Sequence, residues 1–128
     1  MAWKDFVFAA FGGLESDNTH GVWVFKRGKK VAELQEPMGG WNKSGWKDLI
    51  IFGDWVVAAF GNGEMVVWKA TSKEVHTEIQ SSHGGDIVAV VHPNTYLNKV
   101  VVARTGGELQ IWNVKTGSVD FYVEVYKN

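Results

Sequence analysis

The chain has 128 residues, of which 45% are hydrophobic and 13% aromatic, enough for the core of one ordinary domain and too many for a disordered tail. Its formal net charge of −1 predicts no overall electrostatic attraction to nucleic acid or membrane. No apolar run approaches the roughly 20 residues that span a bilayer. The absence of cysteine excludes disulfides, thiol nucleophiles and thiolate metal sites, and is compatible with a reducing compartment.

Three copies of one alternating strand pattern follow each other, and each ends in an aromatic anchor. The anchors are Phe25, Trp68 and Trp112, spaced 43 and 44 residues apart. A period in the low forties is typical of a four-stranded propeller blade. The fifteen Gly and seven Trp, against two Pro, suit short aromatic strands joined by tight turns.

The predicted strands of the first copy are 5–11, 21–26 and 30–35. Those of the second copy are 47–52, 54–60, 63–69 and 74–80, and those of the third are 86–92, 98–104, 107–113 and 118–126. The first copy has no counterpart of the strands 47–52 and 86–92. The sequence therefore predicts two complete four-stranded blades and one blade that lacks its inner strand.

The predicted fold is all-β, a partial β-propeller over residues 1–128. Its blades are predicted at 1–38, 39–80 and 81–126. Propellers typically close with 4 to 8 blades, so three blades leave apolar sides and strand edges uncovered. We expect either a fragment of a larger propeller or a piece that closes by self-association through its open blade edges.

Aromatic residues at two kinds of position are candidate contacts. Phe25, Trp68 and Trp112 recur at one blade position and are expected to be structural anchors that pack between neighbouring blades. Trp41 stands in a glycine-rich loop between blades, where we expect it to be exposed and available to a partner.

Four cations crowd one predicted turn. Lys26, Arg27, Lys29 and Lys30 surround Gly28, and such a cluster either forms an ordinary solvated turn or grips the phosphates of RNA or an acidic partner.

The sequence contains no motif in which catalytic or metal-binding residues have the required spacing. The four histidines lack the spacing of a zinc site, and Ser81-Ser82-His83 lacks a marked third residue to orient the histidine. The sequence predicts a protein that is not an enzyme and has no cofactor and no metal site.

The repeats resemble WD-repeat propellers, although the defining dipeptide is replaced by Phe-Lys, Trp-Lys and Trp-Asn. The resemblance implies that His83 makes a structural hydrogen bond within its blade. The turn position that usually holds Asp in that family is Asn62 in one copy and Gly106 in another. We therefore expect packing, rather than the family's hydrogen-bonded network, to hold these blades together.

A more specific resemblance rests on residues 92–100, with the sequence HPNTYLNKV, and 107–114, with GELQIWNV. Together with 6–12 and 51–54, they resemble the first propeller of the WD-repeat tandem-propeller subunit of UtpB, a subcomplex of the small-subunit processome.

The resemblance implies a non-enzymatic scaffold that supports pre-rRNA processing in ribosome biogenesis, in the nucleus and nucleolus. It implies other propeller subunits, pre-rRNA and a small nucleolar ribonucleoprotein as partners. The alternatives are a self-associating propeller fragment and a generic WD-repeat module that binds proteins or peptides.

Overall fold

The computed structural model describes residues 2–12, 20–38, 40, 45–61, 63–79 and 86–124, and these form three antiparallel sheets of four strands. Blade 1 contains β1 (Ala2–Trp3), β2 (Phe6–Gly12), β3 (His20–Lys26) and β4 (Lys29–Glu33). Blade 2 contains β5 (Trp46–Phe52), β6 (Trp55–Phe60), β7 (Met65–Lys69) and β8 (Val75–Ile79). Blade 3 contains β9 (Ile87–Val91), β10 (Lys99–Arg104), β11 (Glu108–Asn113) and β12 (Ser118–Glu124).

The all-β prediction of successive propeller blades is confirmed. Each strand pairs with the next strand of its blade, so every blade is a simple meander. At the inner position of blade 1 lies only the two-residue strand β1, in which Ala2 pairs with Val7 and Trp3 with Phe6. The inner strand predicted to be missing is thus reduced to a stub. The predicted blade limits, at 38/39 and 80/81, fall in or beside undescribed residues and stay a prediction.

Tight hairpins join the strands where the backbone adopts positive φ. Arg27 and Gly28 have φ of 51° and 78°, the combination that two-residue hairpin turns of type I′ require. Gly106 and Gly107 both have positive φ in the turn between β10 and β11. These short turns join strands that are neighbours both in the chain and in the sheet. Asn62, predicted in the turn of blade 2, lies outside the described residues.

Blade 2 is buried on both of its faces. All six residues of β6 are buried. Since alternate side chains of a strand point to opposite sides of the sheet, both sides of this strand are covered by other residues. Val57 and Ala59 belong to a core shared with blade 3, whereas Val56, Ala58 and Phe60 belong to a core shared with blade 1. Each blade therefore depends on its neighbours for burial, as expected of stacked repeats.

The predicted anchors occupy different surroundings. Trp68 is fully buried between blades 1 and 2, and its indole N–H donates to the Gln35 carbonyl at 2.8 Å. Trp112 is buried between blades 2 and 3. Phe25 is half-buried and lies beside Trp23, with ring centroids 6.2 Å apart, on the side of blade 1 that faces away from blade 2. His83 lies outside the described residues.

A buried polar network holds blade 3 together, which differs from the expectation that packing alone compensates for the replaced residues. The Gln110 Oε1 atom accepts hydrogen bonds from Arg104 Nε at 2.7 Å and from Trp112 Nε1 at 2.8 Å. Its amide nitrogen donates to Glu108 at 2.8 Å. The guanidinium of Arg104 also reaches the Gly63 carbonyl of blade 2 at 3.4 and 3.5 Å.

Burial lowers the pKa of Arg104, while Glu108 and Asp86 act in the opposite direction. A buried charge of this kind is tolerated where it is hydrogen-bonded and has opposite charges nearby, and Arg104 has both. Blade 3 is therefore held together by buried hydrogen bonds as well as by apolar packing.

Candidate interaction surfaces

Antiparallel pairing sorts the turns of each blade onto two edges. The turns between the first and second strands and between the third and fourth strands share one edge, and the turn between the second and third strands lies on the other. Contacts between blades align these edges. Phe52 stacks on His92 at 3.9 Å between turns of the first kind, and Arg104 reaches Gly63 between turns of the second kind.

The first of these edges, which we call the basic edge, collects most of the described cations. Its turns and the strand residues that adjoin them contain eight cations and three acids. The cations are Lys4, Lys26, Arg27, Lys29, Lys69, Lys73, Lys99 and Lys115, and the acids are Asp5, Asp54 and Glu74.

The opposite edge, which we call the acidic edge, carries the reverse balance. Among its described residues are the acids Glu33, Glu36, Glu64, Asp86 and Glu108, and the buried cation Arg104. A strand of five to seven residues separates the two edges by about 16–23 Å, at 3.3 Å per residue, which exceeds the Debye length of about 8 Å at physiological salt. A ligand at either edge therefore experiences mainly the local charge, which the net charge of −1 conceals.

The predicted basic turn lies on the basic edge, between β3 and β4. Arg27 and Lys29 are exposed at its tip. Lys26 lies 5.2 Å over the ring of Phe6. Lys30 is engaged from two sides, since its ammonium pairs with Glu33 at 3.1 Å and lies 3.8 Å over the ring of Trp23.

Blade 2 extends this cationic surface. The ammonium of Lys73 lies 5.8 Å from the ring of Phe6, on which Lys26 of blade 1 also lies, so one aromatic ring gathers cations from two blades. Lys4 precedes Phe6 by two residues in the β1–β2 turn. We name the group Lys4, Lys26, Arg27, Lys29 and Lys73 the basic cluster. Sequence analysis identified the β3–β4 turn but missed Lys73 and Lys4, which only the stacking and hairpin geometry bring to it.

The end blades each present an apolar face. On blade 1, Trp23 meets Phe11 edge to face at 4.5 Å, and Val7 is 49% exposed. On blade 3, Val91 and Phe121 are 57% and 58% exposed. Exposed apolar patches rimmed by polar residues mark interaction surfaces, and these two agree with the expectation that the blades need neighbours.

The other candidate residues are two histidines with structural hydrogen bonds and Trp41, which lies outside the described residues. The Nε2 atom of His76 makes a hydrogen bond with the Lys115 carbonyl at 2.7 Å, and the Nδ1 atom of His92 with that of Lys99 at 3.1 Å, so both rings have structural partners. Trp41 lies outside the described residues, and its predicted role stays a prediction.

The described residues contain neither a metal-binding group nor a membrane-spanning helix. In that part of the chain, no group of three or more His, Cys, Asp or Glu side chains is arranged to hold a metal ion. Nor do the same residues form a helix long and apolar enough to cross a membrane.

Comparisons with known proteins agree on one relationship. The family model described as WDR36/Utp21 first beta-propeller matches residues 1–127. The chain is 31% identical over 118 residues to the U3 small nucleolar RNA-associated protein 21 homolog of Schizosaccharomyces pombe, covering 89% of this chain. It is 30% identical over 117 residues to the human WD repeat-containing protein 36, covering 88% of this chain. In both cases the match spans only 12% of the relative's length.

Solved structures support the fold alone. The computationally designed Ika8 protein is similar over 98% of this chain and 36% of that one, with a TM-score of 0.72 and 20% identity. The WD40 beta-propeller domain of Doa1 is similar over 84% of this chain and 34% of its own, with a TM-score of 0.61 and 14% identity. The likeness to the Doa1 domain shows that the three blades have the fold of a WD40 beta-propeller.

Proposed function

Because the chain belongs to the WDR36/Utp21 first beta-propeller family, we propose that it acts as a non-enzymatic scaffold in assembly of the small-subunit processome and supports pre-rRNA processing. The family match over residues 1–127 is the observation that carries this proposal. The name of the fission-yeast relative associates that protein with the U3 small nucleolar RNA, which supports a role in ribosome biogenesis for this chain.

The surfaces described above suit a scaffold. Two apolar blade faces and two edges of opposite charge give one small domain several separate contact areas for partners. We propose other propeller subunits of the processome, pre-rRNA and a small nucleolar ribonucleoprotein as these partners, and the nucleolus as the location.

The basic cluster is the proposed contact with RNA. Lysine and arginine side chains bind phosphates through an electrostatic attraction that releases counterions from the nucleic acid. Arg27 and Lys29 are exposed at the tip of the β3–β4 turn, and their charges are set apart from the acidic edge by the length of the strands. Lys73 widens the cationic surface beyond a single turn, so that more than one phosphate can be contacted at once.

The scaffold proposal is tested by affinity purification of the protein from nuclear extract. We expect pre-rRNA and other UtpB subunits to be recovered with it. A clean preparation that lacks both would reject the proposal. Microscopy of the tagged protein supplies a second readout, for which we expect nucleolar signal.

The RNA contact is tested on the purified chain by ultraviolet crosslinking to labelled pre-rRNA. The double variant Arg27→Glu and Lys29→Glu reverses two exposed charges of the basic cluster and is expected to lose most crosslinks. Lys47→Glu is the matched control, because Lys47 is an exposed cation on β5 outside the basic edge. Equal crosslinking of the double variant and the control would refute the contact.

A further inference from the structure

The loop between β9 and β10 is much longer than its counterparts in the other two blades. It contains seven residues, 92–98, whereas the turns between the first two strands of blades 1 and 2 contain two residues each, 4–5 and 53–54. All three connections lie on the basic edge. Near the tip of the long loop, Tyr96 is 47% exposed and Leu97 is 85% exposed. The loop therefore carries an aromatic and an aliphatic side chain beyond the level of the short turns.

Both ends of this loop are fixed to the strands around it. At the first end, the ring of His92 stacks on Phe52 of blade 2 at 3.9 Å, and its Nδ1 atom makes a hydrogen bond with the Lys99 carbonyl at 3.1 Å. At the second end, the Asn98 Oδ1 atom accepts a hydrogen bond from the indole N–H of Trp55 at 3.0 Å. A loop held in this way loses little conformational freedom when a ligand binds, which favours affinity.

A turn inside the loop orders the residue that carries the aromatic ring. The backbone N–H of Tyr96 donates to the Pro93 carbonyl at 3.2 Å. The ammonium of Lys99 lies 5.6 Å from the centroid of the Tyr96 ring and also pairs with Asp120 at 3.3 Å. Tyr96 is thus held in place beside a cation while about half of its surface is open to a ligand.

Two more cations lie at the base of the loop. Lys115 is exposed in the β11–β12 turn, which a backbone hydrogen bond of 2.8 Å to the Asn98 carbonyl places beside the loop. On the side of blade 2, the ammonium of Lys69 lies 4.6 Å over the ring of Trp55, and its ion pair with Asp54 is long, at 3.9 Å. Neither the loop nor the β11–β12 turn contains an acidic residue. The surroundings of Tyr96 therefore favour a negatively charged ligand.

The position of the loop tip keeps it apart from the contacts between blades. Blades pack through the faces of their sheets, and the two cores between them consist mostly of strand residues and include none of the residues 93–97. A loop that joins two paired strands continues in the direction of those strands. A ligand of Tyr96 therefore approaches from the side of the turns, and the site needs no open blade face.

We propose that Tyr96 is a stacking site for an unpaired nucleobase, so that the basic edge binds single-stranded RNA in preference to a duplex. Proteins bind single strands by combining cations, which attract the phosphates, with aromatic rings, on which the bases stack. The bases of a duplex are stacked on one another, so their faces are not open to a protein side chain. This inference rests on the RNA contact proposed above and names the kind of RNA that the contact takes.

One strand of RNA can reach both parts of the basic edge. Neighbouring sheets pack about 10 Å apart, so roughly 20 Å separates blade 1, with most of the basic cluster, from Tyr96 on blade 3. Lys69 of blade 2 lies between them on the same edge. A short single strand that follows these cations can therefore place one of its bases on the Tyr96 ring.

The first test measures binding of the purified chain by fluorescence anisotropy. The probes are a labelled oligoadenylate of about 12 nucleotides and the duplex that it forms with oligouridylate. We expect the single strand to bind more tightly than the duplex. Tyr96→Ala should lower the affinity for the single strand at least about fivefold, whereas Tyr96→Phe keeps the ring and should stay within about twofold of the parent chain.

Leu97→Ala is the matched control within the same loop. It removes a side chain that is more exposed than that of Tyr96 but has no aromatic face, so the affinity should stay within about twofold of the parent chain. Circular dichroism and the thermal midpoint of each variant separate loss of binding from loss of folding.

Salt dependence separates stacking from charge in a second test. A ring that stacks on a base releases no counterions, so Tyr96→Ala should lower the affinity without changing the slope of log affinity against log salt concentration. The double variant Arg27→Glu and Lys29→Glu should change that slope. A slope that falls equally in both variants would contradict a stacking role for Tyr96.

Three results of the binding assay would overturn the proposal: an unchanged affinity of Tyr96→Ala, equal losses in Tyr96→Ala and Leu97→Ala, or equal binding of single strand and duplex. A Tyr96→Ala chain that keeps its RNA affinity but recovers fewer UtpB subunits from nuclear extract would also overturn it, because the loop would then dock a protein.

The same assay distinguishes this inference from the RNA contact on which it rests. If the double variant loses RNA binding while Tyr96→Ala keeps it, the contact through the basic cluster stands and only the stacking site is refuted. A parent chain with no affinity for the oligoadenylate would refute both. The scaffold proposal is judged separately, by co-purification of UtpB subunits.

Discussion

The buried network of blade 3 supports a quantitative prediction about stability. Gln110 is 1% exposed and its side chain connects Arg104, Trp112 and Glu108. Replacing it by Leu keeps a side chain of similar size and removes all three hydrogen bonds. The bond to the buried, charged guanidinium is worth about 1.5–3 kcal/mol. The bond to Trp112 is worth about 1 kcal/mol, and the bond to the Glu108 carboxylate is given the same value because that group is partly exposed and screened by solvent. We expect the free energy of unfolding to fall by about 3–5 kcal/mol.

The assay is urea unfolding followed by the fluorescence of the seven tryptophans, at one protein concentration. With a urea dependence of about 2 kcal/mol per M for a small domain, the midpoint should fall by about 1.5–2.5 M. Lys47→Gln, an exposed substitution on β5, is the control and should stay within about 0.5 kcal/mol of the parent chain.

A double-mutant cycle distinguishes a network from independent bonds. Arg104→Met removes the buried charge together with its need for partners, so adding Gln110→Leu to it should cost clearly less than Gln110→Leu alone. We expect a coupling free energy of about 1–3 kcal/mol between the two positions. A Gln110→Leu chain within about 1 kcal/mol of the parent, or strictly additive effects, would refute the idea that this network holds the blade.

Two further predictions concern a glycine at a joint and the salt dependence of RNA binding. A Cβ atom at Gly117 would lie 2.9 Å from Thr77 Oγ1, whereas one at Gly106 meets open space, and both residues have positive φ. Gly117→Ala should therefore lower the thermal midpoint more than Gly106→Ala, and equal effects would contradict the close contact. If Arg27 and Lys29 each contact one phosphate, reversing both should reduce the slope of log affinity against log salt concentration by about 1.4 in single-stranded RNA, measured by fluorescence anisotropy. An unchanged slope would exclude these contacts.

The blade architecture could be predicted because its signals are local and repeated. The anchors Phe25, Trp68 and Trp112 recur at one strand position, and each blade is a meander of neighbouring strands, so no long-range pairing had to be guessed. The stub of blade 1 escaped prediction because Ala2 and Trp3 are too few to show an alternating pattern.

The polar network of blade 3 could not be predicted in the same way. Arg104 and Gln110 stand six residues apart on paired strands, and in sequence each resembles an ordinary surface residue. Only the pairing of Val102 with Gln110, and the burial of Arg104 against the Gly63 turn of blade 2, turn them into an interior pair. Burial changes their energetics, since polar groups removed from water must find partners within the protein.

What the sequence determined by itself was the repeat, the strand order and the presence of a basic turn, because each depends on residues close together in the chain. The tertiary structure decided which charges meet. It placed Lys73 beside Lys26 over Phe6, sorted the cations and acids onto opposite edges, and paired Lys99 with Asp120. The physical reason is that electrostatic and apolar contacts depend on distance in space. Strand pairing within a blade and stacking between blades set these distances for residues that lie far apart in the chain.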